Sequence, residues 1–134
     1  MSTQTETRTG QATKPGTLNL GSIMIGSEQP KVLGEFYQKV LARKADWEME
    51  GWYGWQLGET YLMIGEHSEV KGKAKEPQRL IINFTTEKVQ EESARVKNLG
   101  AKVIKEPYQL ENEWISTFAD PDGNYFQLTS PMKM

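Results

Sequence analysis

The sequence predicts an α+β fold of two βαβββ modules whose sheets curve around a cleft. The main observation is the order of apolar patterns along the 134 residues, which is strand, helix and three strands, followed by the same order again. Each half spans roughly 50 residues, a period at which internal structural repeats occur. The halves are similar in the order of their elements and not in their letters.

The first module begins with a predicted strand that ends at Gly26 and whose apolar residues are Leu18, Leu20, Ile23, Met24 and Ile25. Ser27 then suits a helix cap and Pro30 a first helical turn. Apolar residues at helical spacing predict a helix over 32–41. Three short strands are predicted near 47–50, 53–57 and 61–64, because Gly51 and Gly58 interrupt the apolar runs between them.

The second module repeats this order after Pro77. A β-rich apolar run over 80–84 is followed by a helix predicted over 87–99, and Gly100 stands where a left-handed cap residue belongs. Strands are predicted over 102–104, 114–118 and 125–129. The last two are joined by the turn sequence Asp120–Gly123, in which Pro121 fixes φ and the glycine supplies a positive φ.

The composition excludes several classes of protein. The chain has no cysteine and a formal net charge of −2, so it has no disulfide chemistry and no basic run typical of a nucleic-acid binder. It has no apolar stretch of the length that a membrane helix needs, and no secretory signal is recognisable at its start. We therefore expect a cytoplasmic protein that binds neither nucleic acid nor membrane. Residues 1–16 are predicted to be a disordered tail, followed by one domain over 17–132 with modules at about 17–67 and 78–131.

Two segments carry a resemblance to a known family. The first is 22–37, with Phe36-Tyr37 in its helix. The second is 98–128, with Phe118-Ala119-Asp120-Pro121-Asp122-Gly123-Asn124 followed by Tyr125-Phe126-Gln127-Leu128. Together with the doubled βαβββ order, they resemble the vicinal oxygen chelate family of glyoxalases, bleomycin-resistance proteins and extradiol dioxygenases. The resemblance covers about 18–131 and implies the two-module cleft and a homodimer.

The positions that match this family's metal ligands carry unsuitable side chains. The resemblance places the ligands at Ser22, at Ile81 (or Asn83, if the register shifts) and at Gln127, with Met63 as the repeat counterpart of Gln127. Divalent metals of this kind need imidazole or carboxylate donors. We therefore expect neither a bound metal nor another cofactor, and no metal-assisted catalysis. The single histidine, His67, matches no ligand position and is either a general base or a solvated loop residue.

Aromatic residues from both halves are the candidate ligand contacts. They are Trp47, Trp55, Trp114 and Tyr125, joined by Met63 and by three residues that can donate and accept hydrogen bonds, Ser22, Asn83 and Gln127. They predict non-catalytic binding of a small, planar or aromatic molecule, as in sequestration or resistance. The rings could instead fill the core. The alternative functions are a metal-dependent lyase or dioxygenase of the glyoxalase type, and a regulatory or interaction module.

Overall fold

The computed structural model describes residues 16–132. The predicted disordered tail therefore lies outside the described residues, apart from Gly16. The elements are β1 (Ser22–Ser27), α1 (Pro30–Leu41), β2 (Trp47–Met49), β3 (Trp52–Leu57), β4 (Thr60–Glu66), β5 (Ile82–Thr85), α2 (Val89–Asn98), β6 (Lys102–Leu110), β7 (Glu113–Ala119) and β8 (Tyr125–Thr129).

The strands form two four-stranded sheets of the same topology. The first sheet has the order β1-β4-β3-β2 and the second has the order β5-β8-β7-β6. In each sheet the strand before the helix pairs in parallel with the last strand of its module, whereas the other pairs are antiparallel. The predicted α+β fold of two βαβββ modules is thus confirmed.

Two strands differ in extent from the sequence prediction. β1 begins at Ser22 because its partner strand begins opposite it, at Thr60 and Tyr61, so Leu18 and Leu20 remain 95% and 67% exposed. β6 continues to Leu110 because it pairs along nearly the whole of β7, through two register shifts. Pro107 is tolerated there because β6 is an edge strand that pairs on one side only.

The predicted glycine turns are confirmed and the predicted helix cap is not. Gly100 has φ +95° after α2, and Gly123 has φ +83° in the turn before β8. At the start of α1 the capping position belongs to Gln29, whose side chain makes no cap hydrogen bond. The Ser27 Oγ accepts a hydrogen bond from the Gln29 N–H (2.9 Å) and donates one to Asp122 (2.6 Å). Ser27 therefore connects α1 to the second module.

The two modules share one hydrophobic core. Tyr37 of α1 is fully buried, and its ring centroid lies 5.6 Å from that of Phe126 in β8. Arg95 of α2 donates hydrogen bonds to the carbonyls of Lys39 and Val40 at the end of α1 (3.0 and 2.6 Å). The helix of the first module therefore packs against the sheet of the second, and the packing of each module depends on the other.

Candidate functional site

Each sheet has one side covered by helices and one side, called here the open face, turned away from them. In the first sheet Tyr53 and Trp55 lie on the covered side. The Tyr53 ring packs closely against α1, because a Cβ added to Gly34 of that helix would lie only 2.6 Å from the ring. Successive side chains of a strand point to opposite sides. Trp52 and Gly54 therefore lie on the open face.

Aromatic rings lie over two glycines of this open face. A Cβ placed on Gly54 would lie 3.0 Å from the Tyr61 ring and 3.4 Å from the Trp47 ring, and one on Gly65 would overlap the ring of Trp52. Because a glycine has no side chain, it leaves room for a neighbouring ring to lie against the backbone. The sheet thus presents Trp47, Trp52 and Tyr61 as an aromatic surface.

Two methionines continue this surface toward β1. On neighbouring strands Trp47 lies opposite Gly54, Gly54 opposite Met63, and Met63 opposite Met24. These four positions therefore form one row across the open face. Trp47 is 37% exposed and Met24 is 45% exposed. Ser22 lies on the same face, opposite Tyr61. Of the residues predicted from sequence, Trp47, Met63 and Ser22 are therefore brought together here.

The open face of the second sheet is polar. On neighbouring strands Asn83 lies opposite Gln127, Gln127 opposite Thr117, and Thr117 opposite Lys105. These residues form a polar row across the four strands. The Gln127 Nε2 donates a hydrogen bond to the Thr117 Oγ1 (3.0 Å), which orients the amide. Tyr125 is two residues from Gln127 and shares its face. The predicted contacts Asn83, Gln127 and Tyr125 are therefore neighbours on this sheet.

Two predicted ligand contacts do not reach an open face. Trp55 is fully buried on the covered side, where its ring stacks on Tyr53 with a centroid distance of 6.3 Å. Its Nε1–H donates to the Arg43 carbonyl (2.9 Å). Trp114 alternates with Ile115 and packs against the core from the covered side. Strand alternation thus places both indoles on the covered side, away from the open faces where the ligand contacts were expected.

Sequence reasoning missed Trp52 and Tyr61 as members of the aromatic surface. The signal was present in the strand pattern, because Trp52 and Gly54 alternate with Tyr53 and Trp55, and Gly65 lies two positions after Met63. A glycine opposite a large aromatic on a neighbouring strand indicates a close approach of ring and backbone. Glu48, which follows Trp47, pairs with Tyr53 and lies on the covered side.

The residues at the family's metal positions do not fit a metal. Ser22, Met63, Asn83 and Gln127 offer hydroxyl, thioether and amide groups, without an imidazole or a carboxylate. Ile81 directly precedes β5 and offers no donor. Within residues 16–132, no three His, Cys, Asp or Glu side chains are grouped so that they could hold an ion. No step of chemistry is therefore assigned to a metal.

A cleft of about 550 Å³ lies where β1 of the first sheet comes near β5 and the start of β8 in the second. Its outer wall is the segment between the modules, residues 69–80, and we call it the linker cleft. Met24 and Tyr125, one from each open face, border it. The inner edges of the two open faces therefore meet at this cleft.

A buried titratable pair lies behind the sheets and connects the modules. The Tyr37 hydroxyl donates a 2.7 Å hydrogen bond to Asp120, which also accepts from the backbone N–H of Asp122 and Asn124. Burial raises the pKa of Tyr37 well above its ordinary value, and the Asp120 charge raises it further. Burial also raises the pKa of Asp120, although its hydrogen bonds oppose that rise. Since both groups lie in the core, we assign the pair a structural role.

The fold and this arrangement define a two-module protein of the vicinal oxygen chelate class. The glyoxalase-like domain model matches residues 22–129, and the chain belongs to that family. Comparison with curated proteins gives no match. No helix in the part of the chain that the structure describes is long and apolar enough to span a membrane.

Solved structures of low sequence identity share the fold. A glyoxalase/bleomycin resistance protein/dioxygenase family enzyme from Burkholderia phytofirmans PsJN is 20% identical, with a TM-score of 0.67, and the match covers 86% of this chain and all of that one. Lactoylglutathione lyase from Agrobacterium tumefaciens is 16% identical, with a TM-score of 0.67 over 87% of this chain and 96% of that one. The fosfomycin resistance protein FosX from Listeria monocytogenes is 16% identical, with a TM-score of 0.63 over 89% and 96% of the two chains.

Proposed function

We propose that the open faces bind a planar or aromatic small molecule and that the protein sequesters it without converting it. The observation that carries this proposal is the aromatic surface of Trp47, Trp52 and Tyr61, whose rings lie over glycine backbone at the open face. A ring of a ligand stacked on such a surface gains about 0.5–1.5 kcal/mol per aromatic pair beyond the burial of its area.

The polar row of the second sheet supplies the groups that would orient the ligand. Small-molecule sites generally combine apolar surface with a few well-placed polar groups. The amides of Asn83 and Gln127 can each donate and accept hydrogen bonds, and Gln127 is already held in place by Thr117. Tyr125 and Met63 add apolar contact at the inner strands of the two sheets.

The same residues support the proposal of binding without conversion. The open-face positions that match the family's metal ligands carry neither an imidazole nor a carboxylate, and the buried Tyr37–Asp120 pair lies on the covered side. Among the structural neighbours, FosX is a fosfomycin resistance protein and the Agrobacterium protein is a lactoylglutathione lyase. The donor set of this chain favours a binding role of the resistance kind over the lyase chemistry. With no cysteine in the sequence, we place this role in the cytoplasm.

We further propose that a second copy of the chain covers part of the open faces. Exposed large apolar residues recur there, with Met24 at 45%, Met49 at 54% and Leu110 at 56%. Large exposed apolar patches mark interaction sites, and homodimers with a two-fold interface are the commonest soluble oligomers. Sedimentation tests this: a dimer that Met49→Asp dissociates is expected, whereas a monomer at high micromolar concentration contradicts it.

Ligand binding is tested by titrating the protein with a panel of planar aromatic compounds while tryptophan fluorescence is recorded. We expect a saturable change with at least one compound, abolished in Trp52→Leu and retained in Trp114→Phe, the matched control on the covered side. Circular dichroism of both variants establishes that they are folded. If no compound in the panel changes the fluorescence, or if Trp114→Phe abolishes the change while Trp52→Leu preserves it, the open-face proposal is wrong.

A further inference from the structure

The segment that joins the modules carries an alternating run of lysines that the open-face function does not use. Residues 70–75 read Val-Lys-Gly-Lys-Ala-Lys. Lys71, Lys73 and Lys75 all line the linker cleft, as does Arg79. Four cationic side chains from nine consecutive residues, 71–79, are thus gathered at one cavity.

Hydrogen bonds hold this segment to both modules. The Gly72 N–H donates to the Glu28 carboxylate beside the start of α1 (2.8 Å), and the Ala74 N–H donates to the Asp122 carbonyl in the second module (2.8 Å). The Val70 N–H donates to the His67 carbonyl (3.0 Å). These bonds fix the backbone on either side of Lys73, and they place the start of its side chain at the cleft.

The charges at the linker cleft do not cancel. Three carboxylates line it. Glu76 forms an ion pair with Arg79 (2.9 Å), and Asp122 accepts hydrogen bonds from the Ser27 hydroxyl and the Gln29 amide (both 2.6 Å). The remaining carboxylate is that of Glu69. The ion pairs found within residues 16–132 include none of the three alternating lysines, so these give the rim a positive balance.

The cleft is also lined by apolar residues. Ile25 of β1 and Ile82 of β5 line it together with Val70, Pro77 and Leu80 from the linker. Leu80 is 75% exposed, so an apolar side chain stands uncovered at the cavity. The volume of about 550 Å³ lies within the range of roughly 300–1,000 Å³ that is common for small-molecule sites.

We propose that the linker cleft is a second binding site, distinct from the aromatic surface of Trp47, Trp52 and Tyr61, for an amphipathic organic anion. The hydrocarbon body of such a ligand lies against Ile25, Ile82 and Leu80, and its anionic group lies among the lysines of the rim. Burial of the hydrocarbon supplies most of the affinity. The lysines select for negative charge, since an anion near several cations is favoured over a neutral compound of the same shape.

Decanoate and its neutral counterpart decanol are the probes. Binding to the full chain is measured by calorimetry, and the site is located from amide chemical shifts. The test variant is the triple change Lys71→Gln, Lys73→Gln and Lys75→Gln. The matched control changes three exposed lysines away from the cleft, Lys31, Lys44 and Lys88, to Gln. Both variants alter the formal net charge from −2 to −5, and thermal unfolding shows that both are folded.

We expect wild-type protein to bind decanoate more tightly than decanol, with shifts at Ala74, Leu80 and Ile82. The cleft variant should bind decanoate about tenfold more weakly, since each exposed ion pair contributes little alone and three act together. The control variant should stay within about twofold of wild type. Equal weakening in both variants, equal affinity for decanol, shifts confined to Trp47 and Trp52, or no decanoate binding at all would each overturn the proposal.

Discussion

Removing the hydroxyl of Tyr37 tests the buried connection between the modules. In Tyr37→Phe the ring remains in the core against Phe126, while the hydrogen bond donated to Asp120 is lost. Asp120 is only 5% exposed, so water cannot easily replace that donor. The carboxylate keeps its hydrogen bonds from Asn124 and from the Asp122 backbone, and the fold should survive.

The size of the effect follows from the kind of hydrogen bond. A bond to a charged group contributes about 1.5–3 kcal/mol, against about 0.5–1.5 kcal/mol for a neutral pair. At pH 7 we expect Tyr37→Phe to lower the free energy of unfolding by about 2 kcal/mol. Toward pH 4 the loss should shrink, because the raised pKa of Asp120 makes its carboxyl neutral in part of the native protein.

Urea unfolding followed by circular dichroism, at pH 7 and near pH 4, measures both quantities. The control is Tyr108→Phe, whose ring lies at an edge strand with 36% exposure, and whose stability should change by less than about 0.5 kcal/mol. The account of a charge-assisted hydrogen bond would be refuted by either of two results. One is a Tyr37→Phe variant as stable as this control at pH 7, and the other is a loss of unfolding free energy that increases as the pH is lowered.

Two further changes separate the roles of buried and open positions. In urea titrations, Trp55→Ala should lower the free energy of unfolding by about 3–5 kcal/mol. Trp47→Ala should lower it by less than about 1 kcal/mol. Similar losses in the two variants would show that Trp55 is not in the core and Trp47 not on the open face. Asp120→Asn removes a group whose folded pKa is raised. The stabilising contribution of such a group is complete below its unfolded pKa of about 3.9 and is lost as pH rises through the folded value. The stability of wild type minus that of Asp120→Asn should therefore fall as pH rises from about 3 to 7, and a difference that increases with pH would contradict the direction of the shift.

The sequence by itself determined the order of elements and most of their bounds. Helical spacing and strand alternation are local properties, and so is the positive φ that Gly100 and Gly123 supply at their turns. The sequence also showed that Ser22, Met63 and Gln127 are unsuited to bind a metal of this kind, because the donor groups of a side chain are fixed by its residue type. The first and last residues of β1 and β6 could not be predicted from the sequence, since the length of a strand depends on the strand that it pairs with.

Only the tertiary structure decided which aromatic rings face outward. Trp47, Trp52 and Trp55 lie within nine residues of one another, and sequence pattern alone did not show which side of the sheet α1 would cover. Packing of Tyr53 against Gly34 fixed that choice, placing Trp55 in the core and Trp52 over Gly65. The gathering of lysines at the linker cleft was likewise decided by Glu28 and Asp122, whose bonds to the linker span 44 and 48 positions in the chain. Contacts between residues so far apart arise only when both modules have packed on their common core.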